Sequence, residues 1–207
     1  DLNVFFTKIL DELKKIYLLP QETLSKISYN ELLSQTESFL NIFNFLDKEI
    51  DEKQRRKIQA LRKVLVEELS SQPQVPSHSD FERRNMIKKG NTIYLIDFQD
   101  LHVGPVGIDL ASLFYDHENY YDKKIIQSSI DKFSEQNEII EREKIYNYVY
   151  IALAHRCMRI VGTFIKYFNE GKLLNRRNDL EKFIKRLVFA LDMLNMSKEK
   201  DIIENII

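Results

Sequence analysis

Residues 78–100 read HSDFERRNMIKKGNTIYLIDFQD, and the fold is decided inside this stretch. Residues 85–87 and 92–96 flank Lys88-Lys89-Gly90-Asn91, a turn containing the glycine that a tight hairpin needs. Ahead of the hairpin stand His78, Asp80 and Asn85; behind it an apolar strand ends in Asp97-Phe98. An Asp and an Asn five apart occur often by chance, and an Asp closing a strand is ordinary turn chemistry. The order is what makes the stretch specific: HxD, four residues, Asn, a hairpin, then an apolar strand ending in Asp.

Outward from this hairpin the sequence is helical in period. Upstream, Phe6, Ile9, Leu10, Leu13, Ile16 and Tyr17 recur at three- and four-residue steps and share one helix face, which Leu19-Pro20 ends. A second helical run is expected over residues 30–46 and a third over 53–69, followed by a loop at 70–79 containing Pro73 and Pro76. Downstream, amphipathic runs cover 108–115, 123–133, 143–168 and 180–194. The expected architecture is a mainly α single domain over residues 1–207, with one small β-hairpin. Val4, Phe5 and Phe6 are consecutive apolar residues on the first helix. Successive side chains turn by about 100°, so the three cannot all face one core.

Composition narrows the function. Of 207 residues, 43% are hydrophobic and 11% aromatic, enough for a sizeable core and against disorder. The 31 basic and 32 acidic residues nearly cancel, whereas proteins that neutralise nucleic-acid phosphates carry a basic excess, so no nucleic-acid partner is expected. Arg55-Arg56-Lys57 and Arg176-Arg177 read as solvated helix faces. The single cysteine, Cys157, excludes an internal disulfide, reads as a small core residue and fits a reducing cytoplasm. No apolar run approaches the ~18 residues of a membrane span, so no membrane partner is expected.

The residues around the hairpin match what phosphoryl transfer from ATP demands. A carboxylate must orient or accept the proton of the attacking hydroxyl, and Mg²⁺ on the phosphates needs hard oxygen ligands. The D-x-x-x-x-N spacing supplies a carboxylate and an amide from one loop, and the hairpin returns the chain to bring a second carboxylate to the same point. The stretch resembles the protein-kinase catalytic loop and its metal-binding aspartate. Together with Gly104-Pro105-Val106-Gly107-Ile108-Asp109-Leu110-Ala111-Ser112-Leu113, it looks like the aminoglycoside-phosphotransferase family, in the branch holding the bacterial anomeric kinases of N-acetylmuramate and N-acetylglucosamine. Looser matches extend to Asn30-Glu31-Leu32 with Glu37, and to His155-Arg156 through Gly162-Thr163-Phe164.

The resemblance implies a fold, a reaction and roles. The chain would be the helical C-terminal lobe of a kinase-like fold, using ATP and Mg²⁺ to phosphorylate a small-molecule hydroxyl acceptor. Asp80 would be the catalytic carboxylate. Asn85 and Asp97 would hold Mg²⁺ and the nucleotide. His78 would tie the two loops together, and Asp109 would brace the first through its backbone amides. Ser79 and Glu82 stand where the branch often has a basic residue and a histidine. Substrate contacts are expected among Glu31, Glu37, Asp116, His155 and Arg156. Glu31 and Glu37 are taken as sharing one helix, Arg156 is a candidate for an acidic substituent, and His155 reads equally well as a core residue.

The first glycine is Gly90, so no Gly-rich phosphate loop precedes Asp80 in this sequence. The expectation is therefore a chain separated from an N-terminal nucleotide-binding lobe and inactive alone. A cationic acceptor, choline or an aminoglycoside, remains an alternative, met by Asp116, Glu118 and Asp122. So does a silent helical binding module that never had the other lobe.

Overall fold

The computed structural model describes residues 2–205, and in it the leading apolar period becomes helix α1 (Leu2–Tyr17). Contacts divide the chain into two compact units: one runs to Ile27 and includes Ser70–Val149, and the other comprises Ser28–Leu69 and the chain from Tyr150 on.

In the first unit, α1 buries Phe6, Ile9, Leu10, Leu13, Ile16 and Tyr17. They form one core with Leu110, Leu113 and Phe114 of α5 (Gly107–Phe114) and Ile126, Ile130 and Phe133 of α6 (Lys123–Glu135). Each such side chain contributes about 1.5–3 kcal/mol by leaving water. The consecutive apolar trio divides as helix rotation requires: Phe6 is buried, Phe5 is half-buried beneath the Arg83 guanidinium at 5.7 Å, and Val4 is 52% exposed.

The hairpin pairs β2 (Met86–Lys89) with β3 (Thr92–Leu95), with Gly90 in the left-handed region at φ 62°. Met86, Ile93 and Leu95 pack on the core. The paired Ile87 and Tyr94 face the other way and are exposed.

The loop expected over 70–79 is corrected by the structure. Ser70 and Ser71 complete the last turn of α4 (Glu52–Ser71), and β1 (Gln74–Ser77) pairs antiparallel with β4 (His102–Pro105). Pro76 misled the reading because it removes a ladder donor. Its partner Val103, however, donates to Ser25 O at 2.8 Å and accepts from Ile27 N at 3.0 Å. The Pro76–Val103 pair is thus a non-hydrogen-bonded one, and the missing N–H costs nothing there.

Gly107 opens α5 where a Cβ would lie 2.3 Å from the Tyr148 carbonyl oxygen, so only glycine fits. The buried Gln72 closes the joint, accepting from Gly107 N at 3.0 Å and donating to Tyr148 O at 3.2 Å.

In the second unit, the single helix expected over 30–46 is three pieces: α2 (Tyr29–Gln35), a 3₁₀ turn (Glu37–Leu40) and α3 (Asn41–Phe45). Ser34 and Thr36 are weak helix formers, and the Thr36 hydroxyl bonds back to Leu33 O at 3.0 Å. Arg62 of α4 then donates to Leu33 O at 2.9 Å and Thr36 Oγ1 at 3.0 Å, capping the end of α2. Gly162 of α7 (Ile145–Asn169) admits the 3₁₀ turn, since a Cβ there would meet Ser38 and Phe39 backbone at 3.0 Å. Helix α8 (Arg177–Met193) follows, and then α9 (Ser197–Glu204), which the sequence reading did not contain. Its two buried residues, Ile202 and Ile203, are too few to register as a period. Cys157 is buried on α7, where desolvation pushes its thiol up to about 12. Among the described residues no helix is long and apolar enough to cross a membrane.

Candidate functional site

The HxD loop leaves β1 and is held from beneath by α5. Asp109, in the first turn of that helix and 1% exposed, accepts from His78 N at 3.0 Å through Oδ2 and from Ser79 N at 2.8 Å through Oδ1. Burial pushes the Asp109 carboxyl above the usual range, and the His78 and Ser79 amide donors offset part of that. With both amides pulled onto one carboxylate, Ser79 takes a left-handed conformation at φ 67°, costly for a residue with a Cβ.

Beyond this turn Asp80 emerges with its side chain 27% exposed. Asn85, buried at the start of the hairpin, donates from Nδ2 to Asp80 O at 2.8 Å and to Asp80 Oδ2 at 3.0 Å. With the nitrogen of the amide spent on Asp80, Oδ1 is the amide atom left to ligate a cation.

Two bonds bring the second loop to the first. Ile96 N donates to Asn85 O at 3.0 Å, and the His78 Nε2–H donates to Ile96 O at 2.9 Å. The imidazole meets the Phe81 ring edge-to-face and the Phe98 ring at a tilt, with centroids 5.9 and 5.2 Å away, so ring packing holds its orientation as well. Asp97 follows directly, exposed and left-handed at φ 74°, a conformation that aspartate tolerates better than most residues. Asp80, Asn85 and Asp97 are thus gathered on two loops fastened through Asn85, Ile96 and His78. Hard oxygens, carboxylate and amide, make up the donor set, which suits Mg²⁺.

Beside Asp80, Arg84 was missed from sequence, and Glu82 was read only as a departure from the branch. Arg84 Nη2 donates to Asp80 Oδ2 at 2.8 Å, and Arg84 Nε lies 3.2 Å from Oε2 of Glu82, whose side chain is wholly buried. An arginine next to Asn85 and close in sequence to two acids was the available signal.

The residues expected to meet substrate make contacts of their own within the fold. Asp116 is 2% exposed, and its carboxylate accepts from Arg83 N at 2.9 Å, Glu118 N at 2.8 Å, Asn119 N at 2.9 Å and Asn119 Nδ2 at 2.8 Å. Burial opposes its ionisation, but these donors together outweigh it and hold the carboxyl below its ordinary value. Asp122 caps α6 through Lys124 N at 2.8 Å.

In the second unit, Glu31 closes the capping box of α2, accepting from Ser28 N and Oγ at 2.7 Å each. The break in that region puts Glu37 on the 3₁₀ turn, so the two glutamates do not share a helix face. Glu37 is exposed. His155 is buried and donates from Nε2–H to Leu32 O at 2.9 Å; desolvation lowers it to about 4, so it is neutral. Arg156 is buried too, its guanidinium 6.0 Å from the Phe183 ring centroid.

Residues 7–135, more than half the chain, match the family described as phosphotransferase enzyme family. The chain belongs to that family. Among curated relatives, this phosphotransferase-family chain is 26% identical over 134 residues to the N-acetylmuramate/N-acetylglucosamine kinase of Neisseria meningitidis, covering 61% of the chain and 40% of the relative. It is 29% identical over 115 residues to the protein of the same name from Pseudomonas putida, covering 54% of the chain and 34% of the relative. The chain therefore spans well under half the length of the curated relatives it matches. Among solved structures it resembles the choline kinase LicA from Streptococcus pneumoniae, with TM-score 0.62 and 16% identity over 92% of the chain and 65% of LicA. It also resembles a spectinomycin phosphotransferase in complex with ADP and its antibiotic, with TM-score 0.55 and 18% identity over 89% of the chain and 60% of that enzyme. At such identities these two likenesses show the shared kinase-like fold.

Proposed function

We propose that the full-length protein moves the terminal phosphate of ATP to a hydroxyl of an amino sugar, with Asp80 facing that hydroxyl. The observation that carries the reading is the fastening of Asp80, Asn85 and Asp97 on two loops joined by the Asn85 amide, Ile96 N–H and His78 ring. Asp80 receives or orients the hydroxyl proton, at a carboxylate exposed enough to meet an acceptor. Asn85 Oδ1 and the Asp97 carboxylate would hold Mg²⁺, which when bound neutralises charge on the phosphates. Asp109 and His78 keep the two loops in register without touching a reactant. The apolar outer face of the hairpin, Ile87, Tyr94 and then Ile96, offers a flat exposed surface beside these loops suited to a nucleotide base.

The acceptor class is taken from the two sequence relatives, because the structural neighbours share only the fold with this chain. The hydrogen bonds of Asp116, Glu31 and His155, and the burial of Arg156, favour a scaffold role for these four. An N-terminal lobe supplying further nucleotide contacts completes this reading.

The test is ADP release and ³¹P NMR of products with full-length protein, Mg²⁺-ATP and a panel of amino sugars, choline and aminoglycosides. Phosphorylation of an amino sugar supports the reading. Preferential phosphorylation of choline or an aminoglycoside replaces the acceptor class, and absence of transfer to any hydroxyl rejects the reading in favour of a binding module.

A further inference from the structure

Arg84 stands immediately before Asn85, and its guanidinium touches two acids. One, Asp80, is partly exposed; the other, Glu82, is wholly buried. An exposed ion pair four residues apart has little hold on its partners, because solvent screens it and both side chains lose freedom in forming it. The buried Glu82 changes this. A guanidinium is a rigid plane, and with Nε 3.2 Å from Glu82 Oε2, an ion-pair contact without hydrogen-bond geometry, the charge of the buried acid draws the same edge that carries Nη2. It points at Asp80 Oδ2, 2.8 Å away, and Asn85 Nδ2 reaches that same oxygen at 3.0 Å. Two donors from consecutive residues converge on one oxygen, which sets both the rotamer and the plane of the Asp80 carboxylate.

We propose that Arg84 is a positioning residue for Asp80: steadied by buried Glu82, it fixes the carboxylate that takes the acceptor proton. This rests on the phosphotransfer reading above. In the transfer the acceptor O–H bond breaks and its proton passes to Asp80. A bond forms from that oxygen to the terminal phosphorus of ATP, and the bond from that phosphorus to the bridging oxygen breaks, releasing ADP. Arg84 gains and loses nothing; it holds the receiving group still. Misplacing a reacting group by an ångström costs on the order of 10²-fold in rate, which is the scale expected for losing Arg84.

The experiment uses full-length protein, ATP, Mg²⁺ and the acceptor that the wild type phosphorylates. Arg84→Met is expected to lower kcat by on the order of 10²-fold, with KM for both substrates changed by less than about threefold. Arg84→Lys keeps the charge without the rigid fork and is expected to recover part of kcat. A second readout needs no turnover: thermal unfolding of Asp80→Asn, Arg84→Met and the double variant, where the paired loss is expected to be smaller than the sum. Wild-type kcat in Arg84→Met, a loss confined to KM, or additive unfolding shifts would each overturn the proposal. A wild type silent towards every acceptor overturns the phosphotransfer reading and the catalytic role with it, whereas the unfolding cycle still reports whether Arg84 holds Asp80.

Discussion

The two units spend their polar residues in opposite ways. In the first, buried groups hold backbone so that other groups stand out: Asp109 grips the amides of His78 and Ser79, His78 grips Ile96 O, and Asp80 and Asp97 project from the turns so fixed. In the second, the polar groups finish helices: Glu31 closes a capping box, Arg62 covers the end of α2, and His155 takes Leu32 O. A polar residue in a family-like position is therefore weak evidence of a site until its hydrogen bonds are traced.

The largest effect that could break this contrast is at Asp109. Asp109→Ala leaves the buried His78 amide unpaired and the Ser79 amide with only Ser77 Oγ at 3.2 Å, and is expected to cost roughly 1–3 kcal/mol. Urea unfolding measures the loss, and hydrogen exchange at the His78 and Ser79 amides should accelerate along with it. Unchanged exchange there would mean that Asp109 does not hold the loop.

His155 tests the other side. Its pKa falls to about 4 in the fold against 6.5 as the reference value, so the unfolded chain binds the proton more readily. Its contribution is complete above pH 6.5, declines as pH falls towards 4, and changes no further below that. The span corresponds to on the order of 3 kcal/mol as an upper scale. Comparing urea midpoints of wild type and His155→Gln at pH 7 and pH 4.5 isolates it: the wild type should lose more stability than the variant. Equal losses would show that His155 is not held neutral.

The smallest effect sharpens the account of the first unit. Ser79→Gly removes a Cβ from a left-handed turn at φ 67° and is expected to raise stability by up to about 1 kcal/mol, offset by glycine's greater freedom when unfolded. A clear destabilisation would place the Ser79 hydroxyl, 3.3 Å from Asp100 O, above backbone strain in importance.

The hairpin was legible because Gly90 and the alternation on either side of it are local signals, as were α1, α5, α6 and α8 from their apolar periods. What escaped was decided by distant partners. Pro76 looks like a breaker until Val103 is seen to turn its bonds towards Ser25 and Ile27. Residues 30–46 look continuous until Arg62 and Gly162 are seen to support the break. The same limit governed the site. The order of His78, Asp80, Asn85 and Asp97 was readable as a motif, but the grip of Arg84 on Asp80 depends on Glu82 being buried, and burial has no local signature here.

The central claim is that Asp80 faces the hydroxyl in phosphoryl transfer. Rapid-quench single-turnover kinetics on full-length wild type and Asp80→Asn, with the nucleotide Kd measured alongside, addresses it directly. The account predicts a transfer step slowed by about 10²–10⁴-fold with the nucleotide Kd changed by less than about threefold. A transfer step at the wild-type rate in Asp80→Asn, with the true acceptor, would contradict it.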